Sequence, residues 1–263
     1  MTTQAQATIL GSGTSTGVPV IGCACLVCKS TDPFDQRMRS SLLLTLPDGN
    51  NLVIDTGPDF RAQMLHAKVA KLEHVLYTHT HADHCHGFDD LRAFHFNGQN
   101  SVYCYVAKRH ANEFRQKFAY AFRDTGYIGT KLQVTLVEFD ETPFALLGLE
   151  VEPAYAVHGN VQSAVFRIGR FAYATDFKFF SPELIARWRG KIDTMVASGI
   201  HYGDHPTHSC IQQTIALMAA LQVKQGYITH ISHKIMHARD QSGLPPGISF
   251  AYDGLRFGVE LSL

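Results

Sequence analysis

Residues 78–84 read Thr-His-Thr-His-Ala-Asp-His, and this stretch constrains the fold more than any other part of the chain. It follows the apolar run at 75–77 directly, which predicts that it lies at the end of a β-strand. Imidazole and carboxylate groups are ligands that divalent cations prefer, so their density here predicts a metal site rather than a polar turn. Three later predicted strands also end in such residues, namely His158, Asp176 and His230.

Composition indicates one folded unit that does not recruit its partners by charge. The chain has 263 residues, 45% of them apolar, which is ample for one core, and we expect a single domain over residues 1–263. The formal net charge is zero, which argues against nucleic acid and against a membrane surface as partners. No secretory signal or spanning segment is evident, so we expect a cytoplasmic protein. The sequence does not define the oligomeric state, and a homodimer is compatible with it.

Cys23, Cys25 and Cys28 form a second candidate metal site. They are too crowded for ordinary mutual disulfides, and the other three cysteines lie in unrelated segments. Tetrahedral zinc takes four ligands, and a histidine often completes a set of three thiolates. His233 is the strongest candidate, because it lies three residues after His230 and can face a different ion. We therefore expect one structural zinc, although an iron–sulfur cluster or free buried thiols are also compatible with this spacing.

Two further segments are expected beside the histidine cluster. Residues 11–19 are rich in glycine but lack the helix of a dinucleotide fingerprint and the Gly-Lys-Ser/Thr of a phosphate-binding loop. They form either a tight turn under the site or a loop that lends backbone amides to a substrate oxygen. Asp55 ends a predicted hairpin over 40–55, and it is either a turn residue or a partner that orients a ligand imidazole.

Strands and helices alternate along the whole predicted chain. Because ligand-type residues end strands in both halves, we expect two β-then-helix halves that pack sheet against sheet, with metals along the shared edge and helices outside. Residues 123–130, rich in glycine and aromatic residues, are interpreted as a mobile rim over the site. Helices are predicted at 59–71, 87–96, 108–122, 182–189 and 209–222, and strands at 7–10, 40–46, 51–55, 72–77, 101–106, 134–139, 149–157, 164–168, 171–175, 194–197 and 226–229.

The motif His-x-His-x-Asp-His, followed by strand-end His, Asp and His, resembles the metallo-β-lactamase superfamily. The resemblance covers nearly the whole chain and implies an α/β (α+β) fold built as a four-layer αββα sandwich. It also implies two divalent ions, zinc or manganese, at the active site, with Asp83 as a catalytic residue as well as a ligand. One ion would be bound by His79, His81 and His158 and the other by Asp83, His84 and His230, with Asp176 between the two.

Two motifs narrow the resemblance to a subfamily. The Cys-x-Cys-x-x-Cys loop and the Thr-His-Ile-Ser-His ending at 229–233 resemble the cyclic phosphodiesterase of bacterial phosphonate breakdown. In that subfamily the three thiolates and the second histidine of the ending, here His233, bind a structural zinc. His208 in Pro-Thr-His-Ser resembles the histidine that contacts phosphate and protonates the leaving oxygen, although it could also be a histidine beside a helix cap. The sequence does not define roles for His201 and His205.

The expected function is hydrolysis of a small phosphodiester, in particular a cyclic one, by a hydroxide that bridges two metal ions. A transfer-RNA 3′ endonuclease shares several motifs, but it usually carries a long arm between the ligands matching His158 and Asp176, where only seventeen residues stand here. The same interval has no basic run to bind phosphates. Two further functions are compatible with the motifs: hydrolysis of a thioester or lactone on the same fold, and metal-dependent binding without catalysis.

Overall fold

The structure, a computed structural model, describes residues 2–95, 101–123 and 132–262. Within them two seven-stranded sheets pack face to face, and helices cover their outer faces. This arrangement confirms the predicted αββα sandwich of the metallo-β-lactamase fold. A search of the described residues finds no helix with the length and apolar character needed to cross a membrane.

The first sheet delivers the central histidine motif to one edge. Its strands are β1 (Thr2–Gly11), β2 (Ser41–Thr45), β3 (Asn51–Ile54), β4 (His74–Leu76), β5 (Val102–Ala107), β6 (Val134–Phe139) and β14 (Arg256–Ser262). Their order is β14-β1-β2-β3-β4-β5-β6, and β3 to β6 run parallel. Because parallel strands end at the same edge, Asp55 after β3 and residues 78–84 after β4 lie side by side.

The second sheet delivers the remaining candidate ligands to the same edge of the sandwich. Its strands are β7 (Phe144–Leu146), β8 (Leu149–His158), β9 (Val161–Ile168), β10 (Phe171–Ala174), β11 (Thr194–Ser198), β12 (Gln225–Thr229) and β13 (Ile248–Phe250), in the order β13-β12-β11-β10-β9-β8-β7. Strand β9 is antiparallel to both β8 and β10, and β10, β11 and β12 are parallel. The strands β8, β10 and β12 therefore run in the same direction. Consequently His158 ends β8 at that edge, and Asp176 and His230 follow the ends of β10 and β12 there.

Helices pack on the outer faces with their apolar sides. They are α1 (Phe60–Ala67), α2 (Ala82–Cys85), α3 (Arg92–His95), α4 (Lys108–Lys117), α5 (Ala119–Phe122), α6 (Pro182–Trp188), α7 (Ile211–Leu221) and α8 (His237–Gln241). The predicted helix at 108–122 is divided at Phe118, and the one predicted at 87–96 begins as a 3-10 turn, Phe88–Leu91. Phe114 and Phe118 are buried against Phe88, so the predicted aromatic stripe is core packing.

Candidate metal centres

Two groups of candidate ligands meet at the shared edge of the two sheets. In each group the ligand atoms lie within 4.8 Å of one another. The first group is His79, His81 and His158; the second is Asp83, His84, Asp176 and His230. The structure therefore brings together all seven residues named from the sequence for the dinuclear site, from segments up to 151 positions apart (79 to 230).

The first group has the spacing of a nitrogen-ligated ion. His79 Nε2 lies 2.9 Å from His81 Nδ1, and His158 Nε2 lies 3.4 Å from the same atom. In tetrahedral zinc sites with Zn–N bonds of about 2.0–2.1 Å, two nitrogens are about 3.3 Å apart. Three imidazole nitrogens at such distances fit a single shared ion.

Asp176 joins the two groups. Its Oδ2 lies 3.4 Å from His84 Nε2 and 3.2 Å from His230 Nε2, and also 3.9 Å from His158 Nε2 in the first group. Asp83 Oδ2 lies 3.3 Å from His84 Nε2. One carboxylate oxygen thus lies among nitrogens of both groups, where it would be available to an ion held by either.

Local structure holds the histidine motif in place. The Cys85 thiol donates to the carbonyls of Thr80 and His81, at 3.3 and 3.2 Å, and the Lys117 ammonium donates to the Thr80 carbonyl as well. The short helix α2 begins directly after His81 and carries Asp83 and His84. The backbone between the two ligand groups is therefore held by hydrogen bonds from the side chains of Cys85 and Lys117.

Hydrogen bonds on the far side of each ring select the nitrogen that faces the site. The carboxylate of Asp55 accepts from His84 Nδ1 at 2.7 Å and from the Thr78 hydroxyl at 2.7 Å, while Thr78 Oγ1 lies 3.0 Å from His79 Nδ1. His158 Nδ1 donates to the Thr207 carbonyl at 3.0 Å. Partners of this kind fix the tautomer of a ligand imidazole, and they leave Nε2 of all three rings for an ion.

Several buried polar atoms in the site have no hydrogen-bond partner in the described part of the chain. They are His84 Nε2, Asp176 Oδ1, both ring nitrogens of His230, and His208 Nδ1. Unpaired buried polar atoms are costly and rare in folded proteins. Divalent cations would satisfy most of these atoms, and the imidazole and carboxylate donors suit zinc or manganese. The residues present therefore fit a dinuclear metal centre.

Burial and neighbouring charges shift the pKa values of several candidate ligands. Burial opposes ionisation of Asp83 and Asp176, but His84 and His230 outweigh it and hold the pKa of both carboxyls below the usual range. Burial lowers the pKa of His79 well below its usual value. Carboxylate ligands must be ionised and imidazole ligands neutral to bind a metal, and the directions for Asp83, Asp176 and His79 agree with that requirement. At His84 burial lowers the pKa, but the carboxylates of Asp83, Asp176 and Asp55 outweigh it and raise the pKa well above its usual value, so an ion would have to displace a proton from this ring.

His208 lies at the same site, although it belongs to neither group. Its ring centroid is 4.7 Å from that of His158, it stacks on His230 at 5.0 Å, and its Nδ1 is 3.8 Å from Asp176 Oδ2. Its nitrogen also forms a possible ligand set with His158 and Asp176. Burial lowers the pKa of His208 to about 3. His208 can thus reach a molecule bound at the metal centre.

The cysteine loop forms a separate cluster with His233. The Sγ atoms of Cys23, Cys25 and Cys28 lie 3.3, 3.7 and 3.5 Å from His233 Nδ1. In a tetrahedral zinc site with Zn–S of about 2.3 Å and Zn–N of about 2.0 Å, sulfur and nitrogen are about 3.5 Å apart. The four side chains named from the sequence therefore converge with the dimensions of a Cys₃His zinc site.

A buried arginine that sequence reasoning missed holds His233 in place. The Arg37 guanidinium donates to Asp35 at 2.7 Å and to the carbonyls of Ser232 and Ile235 at 3.0 and 2.9 Å. Both members of the Arg37–Asp35 ion pair are fully buried. The only sequence signal was a pair of opposite charges two positions apart, which is common on exposed surfaces.

Two other expectations concern segments near the site. The glycine-rich loop lies next to His230, since Ile231 N donates to the Ser12 carbonyl at 2.8 Å and Gly13 pairs with Ile231. A Cβ at Gly13 would meet the carbonyl oxygen of Arg37 at 2.8 Å, which explains the glycine by close packing. The rim proposed at 123–130 lies outside the described residues, apart from Arg123.

Comparisons with known proteins agree with this geometry. Residues 50–231 match the family described as the β-lactamase superfamily domain. A crystal structure described as a new diphosphatase from the PhnP family superposes with a TM-score of 0.92, at 36% identity over 100% of both chains. Zn²⁺-bound PqqB from Methylobacterium extorquens superposes with a TM-score of 0.76 over 96% of this chain and 99% of that one, but at 18% identity it supports the fold alone.

One curated relative matches by sequence over part of its length. It is an octanoyltransferase from Porphyromonas gingivalis (strain ATCC BAA-308 / W83), 37% identical over 249 residues, which are 94% of this chain and 50% of that protein. The chain therefore spans about half the length of the curated relative. Because half of that protein is not matched by this chain, the octanoyltransferase activity in its name is not assigned to this chain.

Proposed function

The chain belongs to the metallo-β-lactamase superfamily and is a metal-dependent hydrolase close to the PhnP family, and from this premise we propose that it hydrolyses small phosphodiesters, cyclic ones in particular. The observation that carries the proposal is the meeting of seven ligand side chains in two groups around the Asp176 carboxylate. Full-length likeness to a PhnP-family diphosphatase supports chemistry at phosphorus rather than at a thioester or lactone.

The proposed centre holds two divalent cations, zinc or manganese. The chain would hold one through three histidines and the other through Asp83, His84 and His230, with Asp176 contacting both. When bound, such a pair acts as a Lewis acid, lowers the pKa of a bound water and offsets charge on phosphate oxygens. Asp83 Oδ2 lies 3.3 Å from His84 Nε2 and 3.7 Å from His230 Nε2, so its carboxylate adds a negative charge to the second ligand group.

His208 is the proposed general acid. Its ring lies beside both ligand groups, within 5.0 Å of the rings of His158 and His230, so it borders the space that a substrate phosphate would occupy. An alkoxide is a poor leaving group, and a positioned proton donor lowers the barrier to its departure. A phosphate anion next to the ring favours the protonated imidazole, which is the form that can donate.

A second candidate is hydrolysis of a diphosphate linkage. It is favoured by the description of the PhnP-family structure, which is 36% identical over the full length of both chains. A phosphate leaves more readily than an alkoxide, so this reaction requires less of His208. Dependence on His208 therefore separates the two candidates.

Transfer RNA is a weaker candidate, because the interval that usually carries its arm is compact here. The residues between His158 and Asp176 form β9 and β10, joined by tight turns at Gly159 and Gly169. No projecting segment remains in this interval, all of which the structure describes. Small substrates are therefore favoured over a folded RNA.

To test the proposal, the metal-loaded protein is assayed for hydrolysis of four substrates. They are bis(p-nitrophenyl) phosphate, a small cyclic phosphodiester, inorganic diphosphate and a precursor transfer RNA. We expect turnover of the first two, loss of turnover on chelation and recovery on addition of zinc or manganese. Turnover of diphosphate alone would favour the second candidate. No hydrolysis of any phosphorus substrate by a fully metal-loaded preparation would contradict the proposal.

A further inference from the structure

The His205 ring has an unusual set of hydrogen bonds. Its Nδ1 accepts from the backbone N–H groups of Thr207 and His208, at 3.3 and 3.2 Å. A nitrogen that accepts from fixed backbone donors carries no hydrogen of its own, so the proton of the neutral ring is on Nε2. The geometry thus assigns one tautomer to His205, and that tautomer ties the side chain to the two following peptides.

The peptide that His205 holds contacts the proposed metal centre on both sides. The Thr207 carbonyl accepts from His158 Nδ1 at 3.0 Å, which leaves His158 Nε2 for an ion. The next residue is His208, whose ring lies 4.9 Å from that of His205 and 4.7 Å from that of His158. One short segment therefore orients a candidate ligand through its carbonyl and the candidate acid through its own backbone.

Neighbouring contacts hold this segment on both sides of the His205 ring. A Cβ added at Gly159 would meet Thr207 Cγ2 at 2.8 Å, so the threonine packs directly on the turn that follows β8. Asp204, immediately before His205, pairs with the Lys178 ammonium. After the segment, Ser209 N donates to the Phe177 carbonyl at 2.6 Å. Between these anchors, the His205 ring supplies the hydrogen bonds to the middle of the loop.

We propose that His205 is a positioning residue that fixes the Thr207–His208 peptide, and thereby sets the orientation of both the ligand His158 and the acid His208. The inference rests on the proposed function for its effect on turnover. Its effect on metal affinity depends only on His158 as a ligand. Outer partners of metal ligands typically affect metal affinity or activity by about 10- to 100-fold.

Three substitutions of His205, which keep, displace or remove the hydrogen-bond acceptor at Nδ1, test the inference in the metal-loaded enzyme. In His205→Asn the amide oxygen is bonded to Cγ, as Nδ1 is in histidine, so the acceptor is retained. In His205→Gln the amide lies one bond farther out, and in His205→Ala the acceptor is lost. The matched control is His66→Ala, which removes an exposed histidine from the distant helix α1.

We expect His205→Asn to stay within about 3-fold of the wild type. The Gln and Ala variants should lose about 10- to 100-fold in affinity for the ion that His79, His81 and His158 would hold, measured by chelator competition. The Gln and Ala variants should also lose kcat, more for an alkyl ester than for a nitrophenyl ester, because the acid matters more for the poorer leaving group. The loss on the alkyl ester should shrink when His208→Ala is already present, because the two residues act together.

Two results would overturn the inference. The first is that both His205→Gln and His205→Ala keep the metal affinity and the leaving-group dependence of the wild type. The second is that His205→Asn is as impaired as His205→Ala. Circular dichroism must show that all variants are folded. Failure of the proposed function would look different. If His208→Ala left turnover unchanged, the acid role would be wrong, while the zinc affinities of the His205 variants would still decide whether His205 orients His158.

Discussion

The Asp55 carboxylate accepts a hydrogen bond from His84 Nδ1 at 2.7 Å, and both side chains are fully buried. The same carboxylate accepts from the Thr78 hydroxyl, which is in turn hydrogen-bonded to His79 Nδ1. Asp55 therefore orients one histidine from each ligand group. Its backbone has a φ of 65°, in the left-handed region that aspartate and asparagine tolerate better than most residues.

The first prediction follows from this arrangement. Asp55→Asn keeps the size and backbone preference of the side chain but removes its charge, so we expect metal affinity to fall by about 10- to 100-fold. Chelator titration of the purified chain would measure the change. Asp59→Asn is the control, since Asp59 pairs with Arg39 in a partly exposed ion pair at 3.0 Å. Wild-type affinity in Asp55→Asn would contradict the role assigned to Asp55.

The second prediction concerns the cysteine cluster. Cys25→Ser replaces a thiolate by a hydroxyl that zinc binds far less well, so we expect the metal content to fall by one ion per chain. Elemental analysis measures this directly. Cys104→Ser is the comparison, because Cys104 is buried in β5 away from both centres. An unchanged metal content in Cys25→Ser would exclude a zinc held by this cluster.

The third prediction concerns Arg37, whose hydrogen bonds to the carbonyls of Ser232 and Ile235 hold the segment that carries His233. Arg37→Met removes the guanidinium and leaves Asp35 as an unpaired buried charge, which typically costs about 3–5 kcal/mol of unfolding free energy. We also expect the cysteine-bound zinc to be released faster to a chelator, because the carbonyls on either side of His233 lose their donor. Denaturant unfolding and zinc-release kinetics measure the two effects.

A second variant separates the effect of the lost ion pair from the effect of the lost hydrogen bonds to Ser232 and Ile235. Adding Asp35→Asn to Arg37→Met removes the unpaired charge, so part of the unfolding free energy should return. The fast zinc release should persist, because the donor to Ser232 and Ile235 is still absent. If the double variant held its zinc as firmly as the wild type, Arg37 would not be required to position His233.

The fourth prediction concerns proton donation by His208. We expect His208→Ala to lower kcat for an alkyl phosphodiester by about 10²- to 10⁴-fold, the range for general acid catalysis. The loss should be much smaller for bis(p-nitrophenyl) phosphate, whose leaving group needs no proton. Metal content is measured in parallel, because His208 Nδ1 lies 3.8 Å from Asp176 Oδ2. Equal losses on both esters at full metal content would argue against an acid.

The fifth prediction is a pH dependence of stability at Asp253. Its carboxylate accepts from the backbone and hydroxyl of Ser12 and from Met38 N, yet burial raises the pKa of this side chain to about 6. The folded state then binds more protons than the unfolded state between about pH 4 and pH 6, so this contribution to stability is full below that window and is lost as the pH rises through it.

The size of this effect follows from the shift of about two pKa units, which corresponds to about 3 kcal/mol. The free energy of unfolding of the wild type, minus that of Asp253→Asn, should therefore fall by up to this amount between about pH 4 and pH 6. Denaturant titrations of the metal-free proteins at several pH values measure the difference. A difference that is constant with pH would show that the carboxyl has an ordinary pKa.

The sequence predicted the sandwich because its signals are local. Apolar runs followed directly by His or Asp mark strand ends, and the seven proposed ligands all lie at or just beyond such ends. The helix boundaries were less accurate for the same reason. The predicted helix at 59–71 ends at Ala67, where Lys68 adopts a left-handed conformation with a φ of 56°, and no glycine or proline marked that position.

The residues that sequence reasoning missed act through contacts distant in sequence. Arg37 holds carbonyls almost 200 positions away, and β14 was missed although it pairs with β1 over seven residue pairs. His205 was noticed, but its role depends on a carbonyl that meets His158. Four expectations from the sequence stay predictions. They are a single domain over residues 1–263, a cytoplasmic location, a possible homodimer, and zinc or manganese as the metal.

The order of the ligands along the chain has a consequence for biosynthesis. His230 and His233 lie three positions apart on one short segment, and each faces a different centre. A nascent chain that has left the ribosome only as far as residue 150 already exposes three thiols and four of the seven ligands at the shared edge, but neither set can close. Full coordination at both centres therefore awaits the same segment, so neither set of ligands can be complete before residues 230–233 have left the ribosome.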